Sequence, residues 1–335
     1  MTNIVTTDLH TSIFTPESPP KLKFRWLIAI LAFFIFGLIP ESVLTSSTSA
    51  LKIFIHPGDL IFIAFYYGFY VLFVRDLIVR KKLSWQALLL FGISFGFMNE
   101  GVVADTWYTA KYLGMSYLGP INLSWAVNLT IFHIFFSVFL PIAAFNALFP
   151  QWAQVPILNK RFSYILLGLF FLFNGMSAFN NSFQRETIIV FSLALCIFVL
   201  ALNIPASQET NTNLKVPLIR TLIWLGIVVY LEYMFTLYII PMIDFHLFPQ
   251  YIAVLLNILL SLIQVVLWGY ALLIWLHSDH WTRSQSLAFI TGIILISTTL
   301  TIIVPFVRNV FEPIITIPSL LLCVILLRRS LLRYN

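Results

Sequence analysis

Charge is what this sequence has least of. Only 10% of its 335 residues are Asp, Glu, Lys or Arg, while 60% are hydrophobic. Soluble domains carry about 25% charged residues. So few charges cannot cover the water-facing surface of the two soluble domains that a chain of this length would ordinarily form. Cysteine is nearly absent too. Cys196 and Cys323 both fall in apolar segments and read as small buried hydrophobes, with no disulfide framework and no Cys/His metal spacing. A phosphate-binding Gly-rich loop, His-Glu-x-x-His, Gly-x-Ser-x-Gly and Cys-x-x-Cys are all missing, which removes motif-based ATP hydrolysis and the common metallohydrolase and serine-hydrolase plans. No cofactor and no metal site are expected. Glycine is scarce, 13 residues against 33 phenylalanines, which favours bulky interfaces over hinged, broken helices.

What is present is a succession of long apolar runs. A transmembrane helix needs about twenty mostly apolar residues. Such runs lie at about 25–40, 59–79, 85–105, 124–148, 162–180, 187–203, 218–240, 250–276, 285–304 and 310–327. The fold class expected is all-α: a polytopic integral membrane helix bundle of about 10 transmembrane helices. Residues 1–22 are polar and hold Pro16, Pro19 and Pro20, so they read as a disordered tail. Residues 23–335 read as a single transmembrane domain.

Orientation follows from the basic residues near span ends. With the N-terminus inside, the inner segments hold Lys21, Lys23, Arg25, Arg75, Arg80, Lys81, Lys82, Lys160, Arg161, Lys215, Arg220, Arg283, Arg328, Arg329 and Arg333. The outer segments hold only Lys52, Lys111, Arg185 and Arg308. Both termini are therefore expected in the cytosol, in a plasma or inner membrane. The net charge of +6 belongs to this topology signal, and nucleic acid is not an expected partner. The lipid bilayer is.

Ionisable and amide groups inside the spans are the candidate functional residues, because each charge at a helix centre costs about 2.5–3.5 kcal/mol on insertion scales. In the third span Gly92, Gly96 and Glu100 recur every four residues, so they share one helical face and the glycines turn Glu100 toward a neighbouring helix. The fourth span carries Asn128 and His133, with Thr130, His133, Ser137 and Pro141 on one face. Asn128 lies well round the helix from it. The seventh span carries Glu232. In the eighth, Asn257, Ser261, Gln264 and Trp268 form one polar stripe. Glu100, Asn128, Glu232 and Asn257 sit roughly 6–12 Å below the outer surface at 1.5 Å per residue, with His133 slightly deeper. A shared depth on four helices suggests a polar cavity rather than independent interhelical glue. Arg75 and Asp76 read as interfacial anchors, His277, Asp279 and His280 as a solvated loop, and Asn122-Leu-Ser124 matches a glycosylation sequon.

The pattern of intramembrane CAAX-type proteases is a Glu-Glu pair followed by Arg and a later Phe-x-x-x-His. This chain has Asn99-Glu100 with no following Arg, and Leu129 where the Phe would stand. The likeness reduces to a Glu on one span and a His on the next. The residues therefore point first to a secondary transporter or small-molecule permease, moving a small molecule or a proton or cation, with Glu100 and Glu232 as coupling carboxylates and His133, Asn257 and Gln264 along the path. An intramembrane enzyme using Glu100 and His133 as an acid–base pair is the alternative, and a non-catalytic assembly or sensor protein the third class.

Overall fold

In the computed structural model the described residues are 25–38, 56–109, 117–205, 217–235, 250–277, 282–306, 325 and 328. They fold into helices α1 (Arg25–Leu38), α2 (Ile61–Lys81), α3 (Trp85–Val103), the short α4 (Thr106–Thr109), α5 (Leu123–Leu148), α6 (Lys160–Asn180), α7 (Gln184–Ala201), α8 (Ile219–Met234), α9 (Gln250–His277) and α10 (Arg283–Phe306). One hairpin, β1 (Tyr117–Leu118) with β2 (Ile121–Asn122), turns at Gly119 and leads into α5. Among the described residues five helices, α2, α3, α5, α6 and α7, are long and apolar enough to cross a membrane. The expected tenth run at 310–327, residue 325 apart, and the loop residues Asp279 and His280 lie outside the described residues.

Burial sorts the helices into layers. In α2, α3 and α5 the most apolar 18 residues are 78%, 67% and 78% buried, against 28% in both α6 and α7. The outer faces of α6 and α7 are lined by exposed Ile165, Leu172, Met176, Leu193 and Leu200. Such faces suit a lipid surrounding. Cys196 is exposed on α7, which corrects its reading as a buried core residue: it lies on the side of the helix that meets the bilayer.

Helix contacts follow the small residues. A Cβ placed on Gly92 would lie 2.6 Å from Ile134 Cα, and one on Gly96 3.1 Å from Thr130 Cα. The glycine face of α3 therefore seats directly on the α5 backbone, as close-packed membrane helices require. Gly226 and Gly292 do the same for α8 and α10, where an added Cβ would meet the opposing carbonyl oxygens of Phe289 and Ile223 at 2.4 and 2.1 Å.

Three central helices are not regular. α2 widens into a π-helical turn at Ala64–Gly68, α3 ends in one at Asn99–Val103, and α5 holds one at His133–Phe139. In α5 the cause is visible: Pro141 lacks an N–H and its ring crowds the carbonyl four residues back, at Ser137. Helix irregularity here thus comes from widened turns, and the scarcity of glycine did not exclude it.

Arg75 and Asp76 are only 1% exposed each, so they are not interfacial anchors. The Asp76 carboxylate accepts from the backbone N–H groups of Ile157 and Leu158 at 3.0 and 2.6 Å. Arg75 donates to Asp76 at 2.7 Å, to the Val155 carbonyl at 2.9 Å and to the Trp152 carbonyl. Its guanidinium also lies 5.1 Å from the centre of the Phe145 ring. The pair is buried because the 150–158 segment folds back over the end of α2.

Candidate functional site: an acid–base pair on three distorted helices

The three π turns converge. Tyr67 lies in the first, Asn99 and Glu100 in the second, His133 and Ser137 in the third, and all five are buried. π turns arise mostly as single-turn bulges and recur at functional sites. Three of them meeting at one polar cluster is the strongest structural mark on this chain.

His133 is the hub. Its Nε2 lies 2.8 Å from Glu100 Oε1 and its Nδ1 2.8 Å from Ser137 Oγ. Asn99 Nδ2 donates to Glu100 Oε1 at 2.8 Å and to Tyr67 Oη at 2.7 Å, and lies 3.2 Å from His133 Nε2. Thr106, on α4, donates its hydroxyl to the other carboxylate oxygen, Oε2. The surroundings are aromatic: Phe95 and Phe132 stand edge-on to the imidazole, with ring centres 5.3 Å away in both cases. In so dry a setting each hydrogen bond is electrostatically stronger than it would be in water.

These contacts admit two arrangements. In one, His133 Nε2–H donates to the Glu100 carboxylate while the Ser137 hydroxyl donates to Nδ1. In the other, a protonated Glu100 donates to Nε2 while Nδ1–H donates to Ser137 Oγ. Every atom is satisfied in both, because a hydroxyl can either give or accept. The two differ by one proton. The cluster can therefore take up and release a proton without breaking a contact, which is what acid–base chemistry needs.

Access runs through Glu100. Its side chain is 11% exposed and that of His133 is 1%. α4 covers the approach, held by buried Trp107 against Gly101 and by Tyr108, whose hydroxyl donates to the Gly101 carbonyl at 3.1 Å. Burial, and then the nearby Asp105 and Glu186 charges, push the Tyr108 phenol upward, so it remains a donor. Among the described residues no three His, Cys, Asp or Glu side chains gather to hold a metal.

The other candidates from the sequence fall elsewhere. Asn128 is buried and donates within its own helix, to the Ser124 carbonyl at 3.0 Å. Asn122 of the sequon is buried and caps α5, accepting from Trp125 N at 3.1 Å, a place no glycan could reach. Glu232 is half-buried on α8, whose Tyr230 and Tyr233 pack on Phe136 and Phe132. None of the hydrogen bonds described above reaches it. Gln264 is fully buried although Leu262, Ile263, Val265 and Val266 around it are exposed. Neither atom of its amide has a partner among the described residues. Asn257 lies on α9, and its side chain is outside the described residues. Reading the sequence alone singled out neither Asn99, Tyr67 nor Thr106 as site residues. Only Asn99, adjacent to Glu100, offered a signal.

The model of an uncharacterized membrane protein family matches residues 26–332. The chain belongs to that family. No curated protein and no solved structure matches it. Family membership agrees with the lipid-facing outer helices and makes the chain an integral membrane protein.

Proposed function

We propose that Glu100 and His133 form a membrane-embedded acid–base centre and that the protein is an intramembrane enzyme acting on a lipid or membrane-bound peptide. The observation that carries this reading is the 2.8 Å contact between Glu100 Oε1 and His133 Nε2, with the imidazole held from behind by Ser137. A catalytic base oriented by a third group is the usual arrangement for activating water or a hydroxyl. In hydrolysis Glu100, the accessible member, takes a proton from the attacking water as the oxygen bonds to the acyl carbon. His133 shares that proton, and the pair returns it to the leaving group, so the site ends as it began. Ser137 is a positioning residue on this reading, since it is fully buried. The remaining long helices, α4 excepted, cross the bilayer as well, about ten spans in all, with both termini cytosolic, as the distribution of basic residues suggests.

Gln264 favours a second reading. A buried amide with no partner among the described residues fits a solute path, and a proton-coupled carrier would use the same Glu100–His133 pair to load its proton. Purified protein in vesicles separates the two. In an enzyme, Glu100→Gln and His133→Gln each fold like wild type and abolish turnover of lipid ester or peptide substrates without any proton gradient. In a carrier, the same variants abolish gradient-driven uptake only. Wild-type rates of both processes in both variants would reject the centre altogether.

A further inference from the structure

A cavity of about 370 Å³ opens at the opposite end of the bundle from the Glu100 cluster, between the end of α2, the start of α3, the end of α5 and the start of α10. Its walls are mostly apolar, including Ile78, Leu88, Phe139 and Ile142, with Asn146 and Ser286 supplying polar atoms. That volume is in the range of small-molecule sites, about 300–1,000 Å³. The end of α2 and the residue that follows it, between the lining residues Ile78 and Leu83, carry Arg80, Lys81 and Lys82, all exposed. Arg80 is engaged with the Leu158 carbonyl, and the two lysines stand directly before the lining residue Leu83 in the chain. Arg283 opens α10 three positions before Ser286. Among the described residues the acid at this end is Asp76, and it is already bonded to Arg75.

We propose that this cavity is a binding site for an anionic phospholipid of the surrounding bilayer. The apolar walls take an acyl chain, and Lys81 and Lys82 hold the phosphate. Two features of the site favour that occupant. An apolar slot near the end of membrane helices is bathed in lipid chains, and basic pockets between such helices select anionic headgroups. The assignment is independent of the Glu100 chemistry, which lies at the other end of α3.

Native mass spectrometry of the full-length protein, delipidated in detergent and then given phosphatidylglycerol and phosphatidylcholine in equal amounts, tests it. Wild type should retain one phosphatidylglycerol with about thirtyfold preference, the size of effect that two lysines near a lipid surface provide. Ala143→Trp, which fills the slot from a lining position, should lose that lipid. Lys81→Gln with Lys82→Gln, both at exposed positions, should bring the preference close to one while leaving phosphatidylcholine retention unchanged. Equal retention of the two lipids by wild type would overturn the proposal. So would an unchanged lipid count in Ala143→Trp, whether the slot is then filled by detergent or by the chain itself.

Discussion

Two buried polar clusters lie at opposite ends of this bundle, and they are built differently. The Arg75–Asp76 cluster is tied to the main chain. Its carboxylate is held by two backbone N–H groups, and its guanidinium donates to two backbone carbonyls. None of those partners can exchange a proton, and a guanidinium does not give one up in a protein. The Glu100–His133 cluster is made almost wholly of side chains, and its hub is an imidazole bracketed by a carboxylate and a hydroxyl. The first cluster has one proton arrangement and the second has two. Both bury charge-bearing groups, so burial alone does not tell a staple from a working site. The nature of the partners does.

The largest expected effect is in the staple. Asp76→Ala leaves a buried guanidinium uncompensated and strands two backbone N–H groups, and breaking a buried pair costs about 3–5 kcal/mol. Thermal or denaturant unfolding in detergent should show that loss, with the 150–158 segment becoming open to protease. If Asp76→Ala were as stable as wild type, the contrast between the clusters would collapse.

Next is Gly92→Ala. The new methyl meets the α5 backbone at Ile134, and overpacking of this kind costs about 1–3 kcal/mol. Because the same contact sets the spacing between Glu100 and His133, activity should fall further than stability does. Equal losses in both would mean that the spacing is not critical.

Tyr67→Phe and Ser137→Ala each remove one hydrogen bond from the working cluster, worth about 0.5–1.5 kcal/mol. Ser137→Ala should also alter the pH profile of activity, because one of the two proton arrangements loses its acceptor. A uniform drop at every pH would make Ser137 mere packing. The smallest effect is at Gln264, where Leu in place of the unpaired amide should leave stability unchanged or raise it by about 1 kcal/mol. Destabilisation by Gln264→Leu would show that the amide is bonded in the membrane.

The sequence made the helices legible, because apolar runs and their interruptions are a direct imprint of the bilayer. The face of α3 was legible from Gly92, Gly96 and Glu100, since a spacing of four residues has one geometric meaning on a helix. The partnership of Glu100 with His133 could be suspected from neighbouring spans, although counted depths set them several ångströms apart. The π turns could not be foreseen. Only Pro141 announces one of them. Nor could the burial of Arg75 and Asp76, which depends on the 150–158 segment folding over them, a contact some 80 residues away in the chain. A charged pair at a span end and a charged pair inside a protein look alike until the covering segment is in place.

The central claim is that the Glu100–His133 pair takes up and releases one proton without losing its contacts. Isotope-edited infrared spectroscopy of the protein in lipid, with labelled glutamate, reads this directly. A carboxyl band that changes with pH and vanishes in Glu100→Gln identifies the residue. If the pair shares its proton, that band shifts in frequency and in pH dependence in His133→Gln. An identical band in wild type and His133→Gln would contradict the account and leave Glu100 as interhelical glue.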